Sequence, residues 1–308
     1  MKSASFKQSL RKNAFSLIEL SMVILIIGII VAGLTNYSRL LKEIKLTGAR
    51  SMTASSVVPA IPNLVVWFET SLEKSFDTTL ITGNKVTAWN NINPLSSDKY
   101  QFVSTNPTYQ PTYTESGING LPSIIFNNSH MFLYNFKIGA NYTFFYVFQA
   151  STIHPSSSGI INIGDFSQAG LIYFEIQQPV AAYLGLNRRM RALHRASSGS
   201  PENDNYANSV GIVNDKKDYI YAYIRNNQTN KAKFYSNGVE YTDPAYSLAS
   251  VPALTSANLT IFIGNLLPTN LARPFLGMLS ELIIYDKILT TEELNEVTGY
   301  LLKKYKIK

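Results

Sequence analysis

The hydrophobic pattern at the start of the chain predicts one long helix. Residues 15–34 form an apolar run in which Glu19 is the one charged residue, and the run has about the 20 residues that a helix needs to span a bilayer. Over residues 37–52, apolar positions recur every three or four residues with charged positions between them, which predicts an amphipathic continuation of the helix. Pro59 and Pro62 are expected to end it.

Beyond Asn63 the helical period disappears. Short runs rich in β-branched and aromatic residues alternate there with Gly, Asn, Pro and Ser. Short strands at regular spacing with turn residues between them predict an all-β sandwich. The predicted strands include residues 64–68, 122–126, 131–134, 142–148, 159–163, 170–176, 219–224 and 278–285, the last of them as a central strand.

Two local signals mark the C-terminal part of the chain. Residues 231–241 are predicted to form a hairpin, because Asn237 and Gly238 supply the positive φ angles of a type I′ turn. Thr290 and Glu293 have the spacing of a capping box, which predicts a helix that continues to about residue 304.

Composition limits the function classes. The chain has 308 residues, 45% of them hydrophobic, so it can bury a sizeable core, and it has no cysteine with which to form disulfides. It carries 27 basic and 20 acidic residues. The first 14 residues hold four of the cations and no acid, so the remainder has a net charge of 23 − 20 = +3. That balance is too weak to indicate nucleic acid, which is not expected as a partner.

The N-terminus resembles that of type IV prepilins and pseudopilins. The resemblance rests on a basic stretch at residues 7–12, on Ala14 and Phe15, and on Glu19 at the head of the apolar run. It implies that a prepilin peptidase cuts between Ala14 and Phe15 and that Phe15 is N-methylated. It also implies that Glu19 pairs with the new α-amino group when the helix packs against other pilin-like subunits. The family usually has Gly where this chain has Ala14.

Two other interpretations of the N-terminus stay open. One is a plain signal anchor, and the other is a secretory signal peptide cleaved near residues 31–33. An acid inside a span costs about 2.5 to 3.5 kcal/mol and usually has a function, which favours the prepilin interpretation. Lys2, Lys7, Arg11 and Lys12 precede the run, so the N-terminus is expected in the cytoplasm and the rest is exported. The expected location is the bacterial inner membrane as a single-pass protein, and the periplasm or a cell-surface filament after assembly.

Residues 63–308 resemble the laminin-G-like and concanavalin-A-like jelly rolls of bacterial surface proteins. The resemblance implies a jelly-roll sandwich that binds a glycan or a protein, usually through rim loops. No cofactor is expected, and calcium is only an alternative, because the family's Asp-rich positions read Glu69-Thr-Ser and Asn90-Asn-Ile-Asn93 here. The motifs that carry the resemblance are Trp67, residues 85–89, 110–113 and 117–122, Phe126, and residues 235–238 and 275–294.

No catalytic constellation is evident in the sequence, and an enzyme is not expected. Retaining glycosidases need two carboxylates about 5 to 5.5 Å apart, and Glu175 stands alone on its strand. His130, His154 and His194 have no metal-ligand spacing and are interpreted as ordinary polar residues, so no metal is expected.

Two candidate binding surfaces remain. If residues 189–195 form a strand, one of its faces carries Arg189, Arg191 and Arg195, next to Arg188 in the chain. Such a face could bind an acidic polymer. More often, a charged face of this kind is only solvated. Tyr219, Tyr221 and Tyr223 share a strand face that could stack on sugars, but burial in the core is the favoured interpretation.

The sequence therefore predicts a mainly β protein: a long N-terminal membrane-spanning α-helix followed by a β-sandwich jelly roll with a short C-terminal helix. The expected domains are a leader (1–14), a pilin-type helix (15–58), a linker (59–62) and the sandwich (63–308). The expected function is that of a minor pilin-like subunit that presents a lectin-like binding head for adhesion or surface recognition. A pseudopilin of a type II secretion system is the alternative, and a glycan hydrolase is the less favoured one.

Overall fold

The chain consists of an N-terminal helix and a β-sandwich. Our computed structural model describes residues 17–153, 155, 157–164, 171–177, 188–195, 204–242, 258–265 and 273–307. The chain divides into two compact units, Met1–Lys45 and Leu46–Lys308.

The helix α1 (Leu17–Ala54) confirms the prediction of a long N-terminal helix. In the first unit its large apolar side chains are exposed, among them Leu17, Met22 and Leu25. The prediction that this helix spans a membrane is not supported, since no helix among the described residues has the length and apolar character that crossing a bilayer requires.

Within the described residues, sixteen strands form two antiparallel sheets of eight strands each. The strands are β1 (Leu64–Glu69), β2 (Ala88–Asn90), β3 (Gln101–Val103), β4 (Thr112–Thr114), β5 (Ser123–Phe126), β6 (Met131–Phe136), β7 (Tyr142–Thr152), β8 (Ser158–Ile163), β9 (Ile172–Ile176), β10 (Arg189–Arg195), β11 (Asp204–Ile212), β12 (Asp218–Asn226), β13 (Lys231–Ser236), β14 (Val239–Glu240), β15 (Leu259–Ile263) and β16 (Leu276–Tyr285). Sheet A has the order β14-β13-β12-β7-β16-β5-β4, with β1 also paired to β16, and sheet B has the order β11-β10-β9-β8-β15-β6-β3-β2.

The mainly β sandwich is thus confirmed. Strand β16 is central as predicted, because it pairs with β7, β5 and β1. The predicted hairpin is β13–β14, whose turn residues Asn237 and Gly238 have φ angles of 50° and 85°.

The core lies between the two sheets. Tyr219, Tyr221 and Tyr223 of β12 are buried in it together with Trp89 and Phe148. The interpretation of these tyrosines as core residues is therefore confirmed, and they form no exposed sugar-binding face.

A second apolar cluster covers the outer face of sheet A. The helix α2 (Thr291–Tyr305) begins with the predicted capping box of Thr290 and Glu293, and its buried face packs over this sheet. Residues 49–61 contribute further buried side chains to the same cluster. Its members include Ala49, Val58, Ile61, Trp67, Phe145, Ile283, Leu294, Val297 and Leu301.

A buried charge triad fastens α2 to sheet A. The Lys304 ammonium lies 3.0 Å from Oε2 of Glu69 on β1 and 2.8 Å from Oε2 of Glu281 on β16. Trp67 Nε1 donates a hydrogen bond of 2.8 Å to Glu281 Oε1, and Tyr305 donates one of 3.0 Å to Glu281 Oε2. Because α2 and this cluster cover much of sheet A, the aromatic strand residue that is more than half exposed among the described residues, Tyr134 of β6, lies on sheet B.

Candidate ligand-binding face

The outer face of sheet B carries one continuous row of side chains. The row runs across six strands because the register sets these residues opposite one another, while their chain neighbours, such as Met131 and Ile263, point into the core. From β3 to β10 the row consists of Val103, Phe132, Phe262, Asn162, Tyr173 and Leu193.

One end of this row belongs to an aromatic patch, which we define as Tyr109, His130, Phe132, Tyr134 and Phe262. The rings of Tyr109 and His130 stack with centroids 4.9 Å apart at 26°, and those of Phe132 and Tyr134 stack at 5.8 Å and 11°. Phe262 packs on Phe132 and on His130 at 4.7 and 4.9 Å. Phe262 and His130 are buried, Tyr109 and Phe132 are half-buried, and Tyr134 is 54% exposed.

Local sequence explains how the patch forms. Alternation along β6 places Phe132 and Tyr134 on the outer face and Met131 and Leu133 in the core. Tyr109 lies on a short turn. The backbone N–H of His130 donates a 2.9 Å hydrogen bond to the carbonyl oxygen of Tyr109, which holds this turn beside β6. The sequence signal for the patch was the alternation of residues 131–134, which does not reveal the contribution of Tyr109 or Phe262.

Besides two tyrosines, the aromatic patch contains one titratable side chain, His130. Burial lowers the pKa of His130 below its usual value, so the imidazole is neutral at pH 7. Its Nδ1 is buried and has no hydrogen-bond partner among the described residues. The patch is therefore an uncharged surface at neutral pH.

The other end of the outer face is charged. Glu175 on β9 is fully buried and forms ion pairs with Arg191 on β10 and with Arg273, the latter at 3.3 Å. Arg188 pairs with Asp215 at 2.6 Å and donates from Nε to the Val213 carbonyl.

The predicted arginine face is thus partly paired within the chain. Arg191 and Arg188 neutralise carboxylates of the same protein, so the charge they present to an acidic polymer is reduced. Arg189 begins β10 opposite Ile212, with a register shift before Arg191, and Arg195 lies opposite Asp204 on β11. The side chain of Arg195 lies outside the described residues.

The remaining candidates are placed as follows. Ala14, Phe15 and His154 lie outside the described residues. Glu19 occupies the first turn of α1.

His194 lies in the core, where its Nε2 is hydrogen-bonded to the Tyr223 hydroxyl. Burial, together with the charge of Arg225, lowers the pKa of His194 to about 3. Within the described part of the chain, no group of three His, Cys, Asp or Glu residues is placed to hold a metal ion.

No protein-family model matches this chain, and no curated protein does. Among solved structures it is similar to domain 4 of a GH43 extracellular arabinanase from Geobacillus stearothermophilus, in complex with arabinotriose, with 16% identity over 77% of this chain and 98% of that one and a TM-score of 0.46. It is also similar to the receptor-binding domain of botulinum neurotoxin type G, with 9% identity over 78% and 51% of the two chains and a TM-score of 0.49. A Trypanosoma rangeli sialidase mutant displaying trans-sialidase activity shares 12% identity over 87% and 39%, with a TM-score of 0.46. Similarities this distant carry no argument about function.

Proposed function

We propose that the chain is a pilin-like subunit that carries a ligand-binding β-sandwich behind an N-terminal assembly helix. The observation that carries the proposal is the position of Glu19. It is the one charged residue of the apolar run, and it follows the Ala14–Phe15 bond and the basic leader closely in the sequence. Cleavage at that bond by a prepilin peptidase creates an α-amino group on Phe15. Phe15 precedes Glu19 by four positions in the sequence, which is about one turn of an α-helix, and its amine provides the opposite charge.

The exposed surface of α1 supports a role in assembly. Large apolar side chains such as Ile18, Ile24 and Ile29 are more than half exposed in the subunit. A contiguous apolar surface of this kind needs lipid or another helix to cover it. Residues 20–34 contain no charged side chain, so the proposal places this segment in the inner membrane before assembly and among the helices of other subunits afterwards.

The sandwich supports a binding role. It has no cysteine, so burial and not disulfides must hold it together, and it presents an aromatic patch on one sheet. A head of about 250 residues has a radius of gyration near 18 Å, whereas packed helices lie about 8 to 10 Å apart. Heads this wide would collide if every subunit carried one, so the proposal assigns the chain to a minor or tip position in a filament.

Mass spectrometry of the chain purified from its own cell membranes tests the proposal. We expect a mature chain that begins at Phe15 and carries one added methyl group on its amine. As a control, Ala14→Gly restores the residue that the resembled family usually has before the cut and should be processed at least as completely. An intact start at Met1, or a start near residue 34, would contradict the proposal.

A further inference from the structure

Tyr134 presents an aromatic ring to solvent on an otherwise well-covered sheet. It is 54% exposed, and its ring is nearly parallel to that of Phe132, at 11° with centroids 5.8 Å apart. Its hydroxyl has no hydrogen-bond partner among the described residues. A tyrosine ring that packs against another ring and carries a hydroxyl at its tip suits a ligand with an apolar face and hydroxyl groups at its edge.

The described residues around Tyr134 carry little net charge. Over residues 100–136 the only Asp, Glu, Lys or Arg is Glu115, and it follows β4, which belongs to sheet A. Just outside that range, Lys137 is paired with Asp98 at 3.9 Å. Residues 258–265, which include Phe262 of the patch, have no charged side chain either. His130 is neutral because burial lowers its pKa. A ligand that binds here is therefore expected to be uncharged.

The charged end of the same face is too far from the aromatic patch to contact a sugar-sized ligand bound there. Glu175 lies on β9, three strands from Phe132 on β6, with β15 and β8 between them. At about 4.8 Å per strand the separation is roughly 14 Å. The partners of Glu175 are Arg191 and Arg273, so this acid is already compensated within the chain.

The size of the patch decides between a small ligand and a protein. A stable protein interface buries about 800 Å² on each partner. A wholly buried aromatic side chain supplies about 150 to 250 Å², and here one ring is exposed while Phe132 and Tyr109 are already half covered. The patch therefore offers only part of a protein interface, but it has the dimensions of one ring-sized ligand unit. Exposed amides within three residues of the patch in the chain, at Asn106, Asn127 and Asn135, carry both donors and acceptors for hydroxyl groups.

We infer that the aromatic patch is a subsite for a neutral sugar unit of a glycan, which stacks on Tyr134. This inference rests on the proposed binding function of the sandwich and specifies its ligand class. Tyr134 on the sheet face, and not the arginines of β10, makes the stacking contact.

The test uses the full chain in a zwitterionic detergent without a sugar headgroup, so that the detergent does not compete. Isothermal titration calorimetry is run with neutral hexasaccharides of glucose, mannose, xylose, arabinose and N-acetylglucosamine, and with hexagalacturonate as the anionic counterpart. We expect measurable binding of at least one neutral hexasaccharide. Tyr134→Ala should weaken it about tenfold or more, while Tyr134→Phe, which keeps the stacking ring, should stay within about threefold.

Tyr37→Ala is the matched control. It deletes the same side chain at a similar exposure, 59% against 54%, but on α1. It should leave the affinity unchanged. The melting temperature of each variant shows whether a loss of binding reflects a loss of fold; if Tyr134→Ala does not fold, Tyr134→Leu, which removes the ring but keeps apolar bulk, takes its place.

Several results would overturn the inference. These are a wild-type chain that binds none of the neutral sugars at millimolar concentration, binding of hexagalacturonate alone, or equal affinity of the folded Tyr134→Ala or Tyr134→Leu variant. Processing at Phe15 is measured on the same preparation and is independent of sugar binding. A processed chain without sugar binding contradicts only this inference, whereas a sugar-binding chain that still begins at Met1 contradicts only the proposed assembly.

Discussion

Removing the cation of the buried charge triad should be among the most damaging single changes to the sandwich. Lys304 is buried, with its ammonium within 3.0 Å of both Glu69 and Glu281. Burial alone would lower the pKa of Lys304, but the charges of Glu281 and Glu69 outweigh it and raise the pKa well above its usual value. Burial likewise acts to raise the pKa of Glu69, yet Lys304 and the hydrogen bonds from Ser71 hold it below its usual value. Lys304 and Glu69 are therefore ionised at neutral pH.

The variant Lys304→Met keeps most of the side-chain volume and deletes the charge. It leaves two buried carboxylates without their cation, and breaking a buried pair in this way typically costs about 3 to 5 kcal/mol. Domains are stable by only about 5 to 15 kcal/mol, so this is a large fraction of the total. At roughly 2 to 4 °C per kcal/mol for a domain of this size, the melting temperature should fall by about 10 °C.

Tryptophan fluorescence is a suitable assay, because the chain has two tryptophans and Trp67 donates a hydrogen bond to Glu281. Lys303→Met is the matched control, since the neighbouring Lys303 is exposed and its loss should change the melting temperature by no more than a degree or two.

Acid should reduce the difference between Lys304→Met and wild type. Without the cation, the two carboxylates gain stability on protonation, so the deficit should shrink between pH 7 and pH 5. In the wild type the pair of Lys304 and Glu69 stays ionised over that range, because the lowered pKa of Glu69 means that its contribution is lost only as the pH falls below about 4. A deficit under about 1 kcal/mol, one equal to that of Lys303→Met, or one that does not shrink at pH 5 would refute the reasoning.

Two further predictions concern pH and the start of the sandwich. The pKa of His194 is about 3 in the folded chain and about 6.5 unfolded, so stability should fall as the pH drops below 6.5, by about 2 kcal/mol at pH 5. In urea unfolding, His194→Gln should remove that part of the pH dependence, and an unchanged slope would contradict the burial of His194. A chain that starts at Leu46 should melt well above one that starts at Asn63, because Val58 and Ile61 are buried against the cluster under α2, each contributing about 2 kcal/mol. Equal melting would show that residues 46–62 add nothing to the sandwich.

Local signals in the sequence were sufficient to predict many of the elements, but not β3, β4, β11 or β15. The Asn237–Gly238 turn and the Thr290–Glu293 capping box each act within a few residues, so the hairpin and the start of α2 follow from the chain directly. Alternation likewise located most of the strands. The burial of Tyr221 and Tyr223 was predictable because an aromatic strand face in a two-sheet protein has a core to fill.

Contacts between distant segments could not be predicted in the same way. Lys304 meets Glu69 across 235 positions of the chain, and nothing in either neighbourhood marks them as partners. The arginines of β10 were noticed as a charged face, but their pairing with Glu175 and Asp215 depends on strand order and loop placement. Tyr134 and Phe132 were placed on one strand by alternation, while the contributions of Tyr109 and Phe262 depend on how β6, β15 and the turn before β4 come together.

The central claim, that the chain is an assembled pilin-like subunit, is tested most directly by its recovery in filaments sheared from the cell surface. Wild type should be found in the sheared fraction, whereas Glu19→Gln should enter the membrane normally but be strongly reduced in filaments, because the Phe15 amine then lacks its partner in a low dielectric. Glu43→Gln, which removes an exposed acid from the same helix, should behave like wild type. Equal recovery of Glu19→Gln and wild type would contradict the account.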